Sequence, residues 1–223
     1  MSRWRRSPTM PGMPSVPRLP RAIGGVPVPG DLVSAATWRW AHRALPRYLL
    51  AHSVRAYCWG ASIAAVEGWS FDRPILWTAS LMHDYGLTRI ARNTMCFEVE
   101  GAEIARAFLE RQGMAPGAAD RAAIAIILHM EPNVTLADGV EAVLLDRATG
   151  LDVRGDGYEL VDAVRPGVMR AFPRGDFDRR FISAIRREVA VRSTCQSARL
   201  LNVTDLPGWM ARSPWAGNAA GGG

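Results

Sequence analysis

The residues of this chain best suited to chemistry are histidines and an adjoining carboxylate. His52 lies in "YLLAHSVRAYCWG", His83 and Asp84 in "LMHDYGL", and His129 in "AIAIILHMEP", each among apolar residues near the middle or end of an expected helix. His42, in "RWAHRALPR", sits among arginines instead. One histidine on an apolar face is usually a satisfied core residue. Three with a carboxylate are a different case, because an unsatisfied polar group in apolar surroundings costs roughly 1–3 kcal/mol, and a shared cation removes that cost. Neighbouring residues on a regular helix point about 100° apart, so His83 and Asp84 reach one ion only where their helix is ending. Gly86 lets it end there. His52 and His129 then approach from two other helices, as ligands do in helical bundles. Imidazole with carboxylate suits one divalent transition metal, with zinc as the first expectation and iron(II), manganese or nickel as alternatives.

The elements that must position these ligands read as helices. Asp31 caps one running to about Leu45, and Pro46 restarts one to about Gly68. "FDRPILWTASLMHDYG" supplies Asp72 as a cap, Pro74 near the first turn and Gly86 as a stop. Further helices are expected from Glu98 to Gln112, Pro116 to Met130, Leu136 to about Leu151, and Phe177 to about Arg192. Strand alternation is hardly visible and no fixed-period repeat occurs, so the expected class is all-α, a helical bundle around a buried metal site. In the last of these helices Phe177, Phe181, Ile182, Ile185 and Val189 form an inward face, with a homodimer contact as a further candidate role.

Composition bounds the remaining possibilities. With 223 residues, 48% of them hydrophobic, the chain suits one domain with a sizeable core. All 27 basic residues are arginine, and against 21 acidic ones they leave a net charge of only +6. No basic run is long, so the arginines read as solvated helix faces and no nucleic-acid partner is expected. Cys58, Cys96 and Cys195 are odd in number, far apart and without a CxxC spacing, which reads as neither a disulfide framework nor a zinc ribbon and fits a reducing cytoplasm. Residues 1–25 are Pro-rich without an apolar h-region, hence a disordered leader and not a secretory signal; 26–212 form the domain and 213–223 a flexible tail. No eighteen consecutive apolar residues occur, so no membrane span is expected.

A His followed about thirty residues later by an adjacent His-Asp, inside an all-α domain, resembles the HD superfamily of metal-dependent hydrolases. Within it, "LPRYLLAHSVRAYCWG", "SLMHDYGLT", "CFEVEGA", "AIILHM", "LLDRATGLDVRG" and "AFPRG" together resemble the cyanamide hydratase branch, whose members add water to a nitrile to give urea. The similarity runs from about Val26 to about Cys195. It implies metal ligation by His52, His83, Asp84 and His129, proton transfer by Asp84, and a substrate contact from Thr149, with Glu98 a further candidate for orienting water or substrate. The substrate implied is a small molecule, cyanamide or a related small nitrile.

Two positions separate this branch from the wider superfamily. Typical HD phosphohydrolases carry an Asp in a pattern like D-x-D-[RK]-x-D, whereas "DRATGLD" places Thr149 there, in the A-T-x-L-D context of the cyanamide hydratases. After His-Asp, this chain continues Tyr85, Gly86, Leu87, Thr88 and contains no Lys, unlike the I-G-K of the cyclic-dinucleotide phosphodiesterases. The alternative is a metal-dependent phosphohydrolase acting on a nucleotide or other phosphate ester, with Arg55, Arg89 or Arg92 gripping the phosphate. Asp146 stays open between a fifth ligand and a salt-bridge partner of Arg147 or Arg121. Glu98 also reads as a favourable charge at a helix N-terminus, and Thr149 as a mid-helix hydroxyl bonded back to a carbonyl. Trp59, Trp69, Trp77 and Phe97 read as core, with one or two lining a small pocket.

Overall fold

The computed structural model of the chain describes residues 16–88 and 95–215. Among them are ten α-helices, three short 3-10 turns and one two-stranded ribbon, so the all-α expectation holds. Helix α1 (Leu32–Ala44) starts at Asp31, whose carboxylate accepts from the Ser34 N–H at 2.9 Å. Helix α2 (Arg47–Glu67) begins after Pro46 and ends at Gly68, which adopts φ 70°. Burial on all sides, from Leu49 to Ala64, makes α2 the central helix, against which α3 (Arg73–Met82) and α6 (Val140–Arg154) pack. Asp72 caps α3 with Pro74 in its first turn. Helices α4 (Phe97–Arg111) and α5 (Pro116–Leu128) form an antiparallel pair, and α5 also packs on α3 and α6. The helix expected from Leu136 is split by Gly139, at φ 107°, into a 3-10 turn and α6. Helices α7 (Arg165–Ala171), α8 (Phe177–Val191), α9 (Gln196–Asn202) and α10 (Leu206–Arg212) complete the chain. In α8, Phe177, Phe181 and Ile185 are buried as expected, while Ile182 and Val189 are half-buried.

The bend after α3 depends on Gly86. A Cβ there would lie 2.1 Å from the Phe97 carbonyl oxygen, so only glycine lets α4 start against the end of α3. That contact fixes the segment carrying His83 and Asp84 against the α4–α5 pair.

Three expectations need correction. The leader ends before residue 25: strands β1 (Ala22–Ile23) and β2 (Val26–Pro27) pair antiparallel around Gly24 and Gly25, both at positive φ. Ile23 and Val26 are buried, and the Trp38 indole donates to the Pro17 carbonyl at 2.8 Å. Residues 1–15 lie outside the described residues. The domain also extends past 212, because Trp215 is buried, stacks on Trp59 and donates to the Leu151 carbonyl at 2.8 Å; the rest of the expected tail, 216–223, lies outside the described residues. Finally, Cys96 and Cys195 form a disulfide across 99 residues of sequence, with Cα atoms 5.6 Å apart, and only Cys58 is free. Sequence spacing cannot reveal so distant a pairing, and the cysteines therefore give no support to a reducing compartment. Among the described residues no helix is long and apolar enough to cross a membrane.

Candidate metal centre

Three helix segments bring the expected ligands together. His52 projects from the middle of α2, His83 is the C-terminal cap of α3 with Asp84 next in the chain, and His129 is the C-terminal cap of α5. All four are buried. The two caps sit where each helix ends, which is how neighbouring residues of "LMHDYGL" turn toward one point.

Each imidazole has its Nδ1 committed. His83 Nδ1 faces the Ser80 carbonyl at 2.7 Å, His129 Nδ1 the Ile126 carbonyl at 2.5 Å, and His52 Nδ1 the Asp152 carboxylate at 2.7 Å. These partners have no proton to give, so in each neutral ring Nδ1 carries the hydrogen and Nε2 a bare lone pair. Those lone pairs converge: His52 Nε2 and His83 Nε2 are 3.1 Å apart, and Asp84 Oδ2 lies 3.5 and 3.3 Å from them. His129 Nε2 is 3.8 Å from the other Asp84 oxygen. Asp84 Oδ2 is buried and accepts no hydrogen bond. Converging lone pairs and an orphaned carboxylate oxygen repel one another unless a cation lies between them, so the donor set fits a divalent metal. His52, His83 and Asp84 offer ligand atoms all within 4.8 Å of one another, and His129 stands next to that group without belonging to it, its Nε2 3.8 Å from Asp84 Oδ1.

The titration pattern has the same origin. Burial opposes charge on Asp84, yet the imidazoles of His83, His52 and His129 overcome it and hold the carboxyl at about 2. Burial and the neighbouring His83 push His129 down to about 4.

Behind His52 stands a carboxylate that the sequence reading did not single out. Asp152, in α6, is fully buried and receives Arg55 Nε at 2.8 Å, Arg55 Nη2 at 2.7 Å, Trp59 Nε1 at 2.7 Å and His52 Nδ1. Burial would raise its pKa, but the Arg55 guanidinium holds it well below the usual carboxylate range. This ionised hub fixes the tautomer and orientation of His52. The available signal was Arg55, three residues after His52 on one face of an apolar helix, where a buried charge requires a partner.

The ligands open into a cavity of about 590 Å3 that Asp146 and Thr149 also line. Thr149 Oγ1 donates to the Asp146 carbonyl at 3.0 Å and stands 3.3 Å from that of His129, the back-bonded arrangement. Asp146 lies outside the ligand group, and burial raises its pKa to about 6. Its suggested partners are taken, Arg121 by Glu141 at 2.7 Å and Arg147 by Glu67 at 2.8 Å. Glu98 does not join this cavity. It lines a neighbouring one of about 560 Å3, next to the disulfide, because the start of α4 turns its side chain away from Asp84. The aromatic residues lining the ligand cavity are Phe181 and Trp209, while Trp59 reaches the centre only through Asp152 and Phe97 meets His129 edge to face at 5.8 Å. Arg55 is committed to Asp152, and Arg89 and Arg92 lie outside the described residues.

Residues 49–154 match the family model described as the HD domain, a span that contains His52, His83, Asp84 and His129 together with Asp146, Thr149 and Asp152. Over that span, a little under half of its length, the chain is similar to HD domains. No curated protein matches it. That likeness, together with the buried His52, His83 and Asp84 cluster, supports a divalent metal site and a metal-dependent hydrolase-type function.

Proposed function

We propose that the protein adds water to a nitrile, cyanamide or a related compound, giving urea or an amide. The observation that carries this reading is the make-up of the centre: His129 stands beside Asp84 while Asp146 lies outside the ligand group and Thr149 faces the cavity. His52, His83, Asp84 and His129 would hold the ion, with zinc as the first choice. A divalent ion there supplies Lewis acidity, lowering the pKa of a water from 15.7 towards about 7. Asp84, with Oδ2 turned to the ion, has Oδ1 left to accept the proton that the water loses. Thr149 spends its hydrogen on a backbone carbonyl, so its oxygen presents lone pairs to the cavity and can accept from the substrate's amino group. Asp146, neutral below about pH 6 and lining the cavity that Glu98 does not reach, is the group to donate a proton to the nitrile nitrogen as negative charge builds there.

A phosphate ester is the second reading, favoured by the size of the cavity and by Arg199 on its wall. Against it, all three arginines lining the cavity have side-chain partners, Arg154 in Asp156 at 2.6 Å, Arg212 in Asp205 at 3.5 Å and Arg199 in Gln196 at 2.8 Å. The volume far exceeds cyanamide, so a nitrile carrying a larger substituent also fits.

Thr149→Val and Asp146→Ala separate the two readings. Under the nitrile reading both variants keep their metal, and Thr149→Val cuts nitrile turnover by about 10- to 1000-fold, roughly 1.4–4 kcal/mol of transition-state contact. Loss of metal in Asp146→Ala alone, with hydrolysis of a nucleotide and no urea from the wild type, would establish the phosphohydrolase instead.

A further inference from the structure

The ligand cavity and the pocket beside the disulfide share a wall. Arg199 of α9 and Glu131 line both, and Leu200 and Thr204 line the ligand cavity from the same segment. Cys195 is the residue immediately before α9, and Cys96 the residue immediately before α4, which follows the His83–Asp84 corner. The disulfide therefore clamps the first end of the wall to the body that holds the ligands. The far end is anchored differently, by Leu206, Met210 and Trp215, all buried in the core. Between these anchors the start of α9 has a second polar tether, Gln196 Nε2 donating to Glu131 Oε2 at 2.7 Å.

We propose that Cys96–Cys195 is a reversible thiol–disulfide exchange site that sets how firmly α9 closes the ligand cavity. Both sulfur-bearing residues line the pocket of about 560 Å3, and Cys96 is half-buried while Cys195 is 6% exposed, so an external thiol reaches Cys96 first. A thiolate of an external dithiol attacks Cys96 Sγ and forms a mixed disulfide, and Cys195 leaves as a thiolate. The dithiol's second sulfur then displaces Cys96 and closes its own disulfide. Two electrons pass from the dithiol to the cysteine pair, and its two protons end on the two cysteine thiols. Cys58 does not interfere: it is wholly buried in α2 and burial pushes its thiol up, so it supplies no thiolate for reshuffling. Once the bond opens, residues 196–204 keep the Gln196 tether and their packing on α8 and α10, whereas 206–215 keep the core anchors.

Hydrogen–deuterium exchange on the full chain, oxidised and then reduced with dithiothreitol, tests this without requiring a substrate. Amides of residues 196–202 should exchange at least about tenfold faster in the reduced protein, those of α2 and α10 should stay unchanged, and oxidised dithiothreitol should restore the first rate. Cys195→Ser should match the reduced protein and ignore dithiothreitol. Equal exchange in both states would overturn the proposal, as would loss of protection throughout the molecule on reduction. Three titratable thiols in denatured protein purified without reductant, or a reduced state that cannot be re-oxidised, would overturn it equally.

Discussion

Asp152 and Glu98 are both buried carboxylates in one helical bundle, and they end in opposite states. Asp152 receives Arg55, Trp59 and His52 and stays ionised far below its ordinary range. Glu98 has an oxygen with no hydrogen-bond partner, and burial, reinforced by Glu188 and Glu131 nearby, raises it to about 7. Burial is common to both, so it does not decide the charge. The convergence of donors does, and it marks Asp152 as part of the centre and Glu98 as outside it.

The largest expected effect comes from breaking the satisfied member. Asp152→Ala leaves Arg55 buried without its bidentate partner and should cost about 3–5 kcal/mol in urea unfolding. Asp152→Asn keeps the shape but weakens the hold on His52 and Arg55. It should lower metal affinity about 10- to 100-fold, read by competition with a chromogenic chelator. A variant binding metal like the wild type would show that His52 needs no such support.

The smaller effect comes from the unsatisfied member and has the opposite sign. The Glu98 carboxyl binds its proton more tightly in the folded than in the unfolded chain, so its contribution to stability falls as pH rises from 4.5 to about 7 and is level above. Asp152 behaves in reverse, its contribution present above the unfolded carboxylate range and lost only as pH falls through its depressed folded value. Glu98→Gln should therefore match the wild type near pH 4.5 and exceed it by about 1–3 kcal/mol at pH 8. A difference independent of pH would mean that Glu98 does not titrate in that window.

The same contrast explains what could be read from the chain before its fold was known. His52, His83 and Asp84, which the fold gathers into one buried cluster, were legible as polar residues in an apolar helix or at a helix end, a local conflict that a shared ion would resolve, and His129 stood out on the same ground. Helix limits followed from Asp31, Asp72 and Gly68, whose capping roles are local. Asp152 was missed because its value lies in partners about a hundred positions away, such as His52 and Arg55. Glu98 was misplaced because closeness in sequence to His83 says nothing about which way α4 turns it. The Cys96–Cys195 bond spans 99 residues and left no local signal. The ribbon at Ile23 and Val26 did leave one, the Gly24–Gly25 pair between two apolar residues, and the surrounding prolines masked it.

The central claim is that four side chains from three helix segments exist to hold one ion. Elemental analysis of the purified wild-type protein beside His83→Ala tests it most directly. The account predicts about one equivalent of a divalent transition metal in the wild type and little or none in the variant. Wild-type protein that is metal-free yet turns over a nitrile or a phosphate ester, or a variant that keeps its full complement of metal, would contradict it.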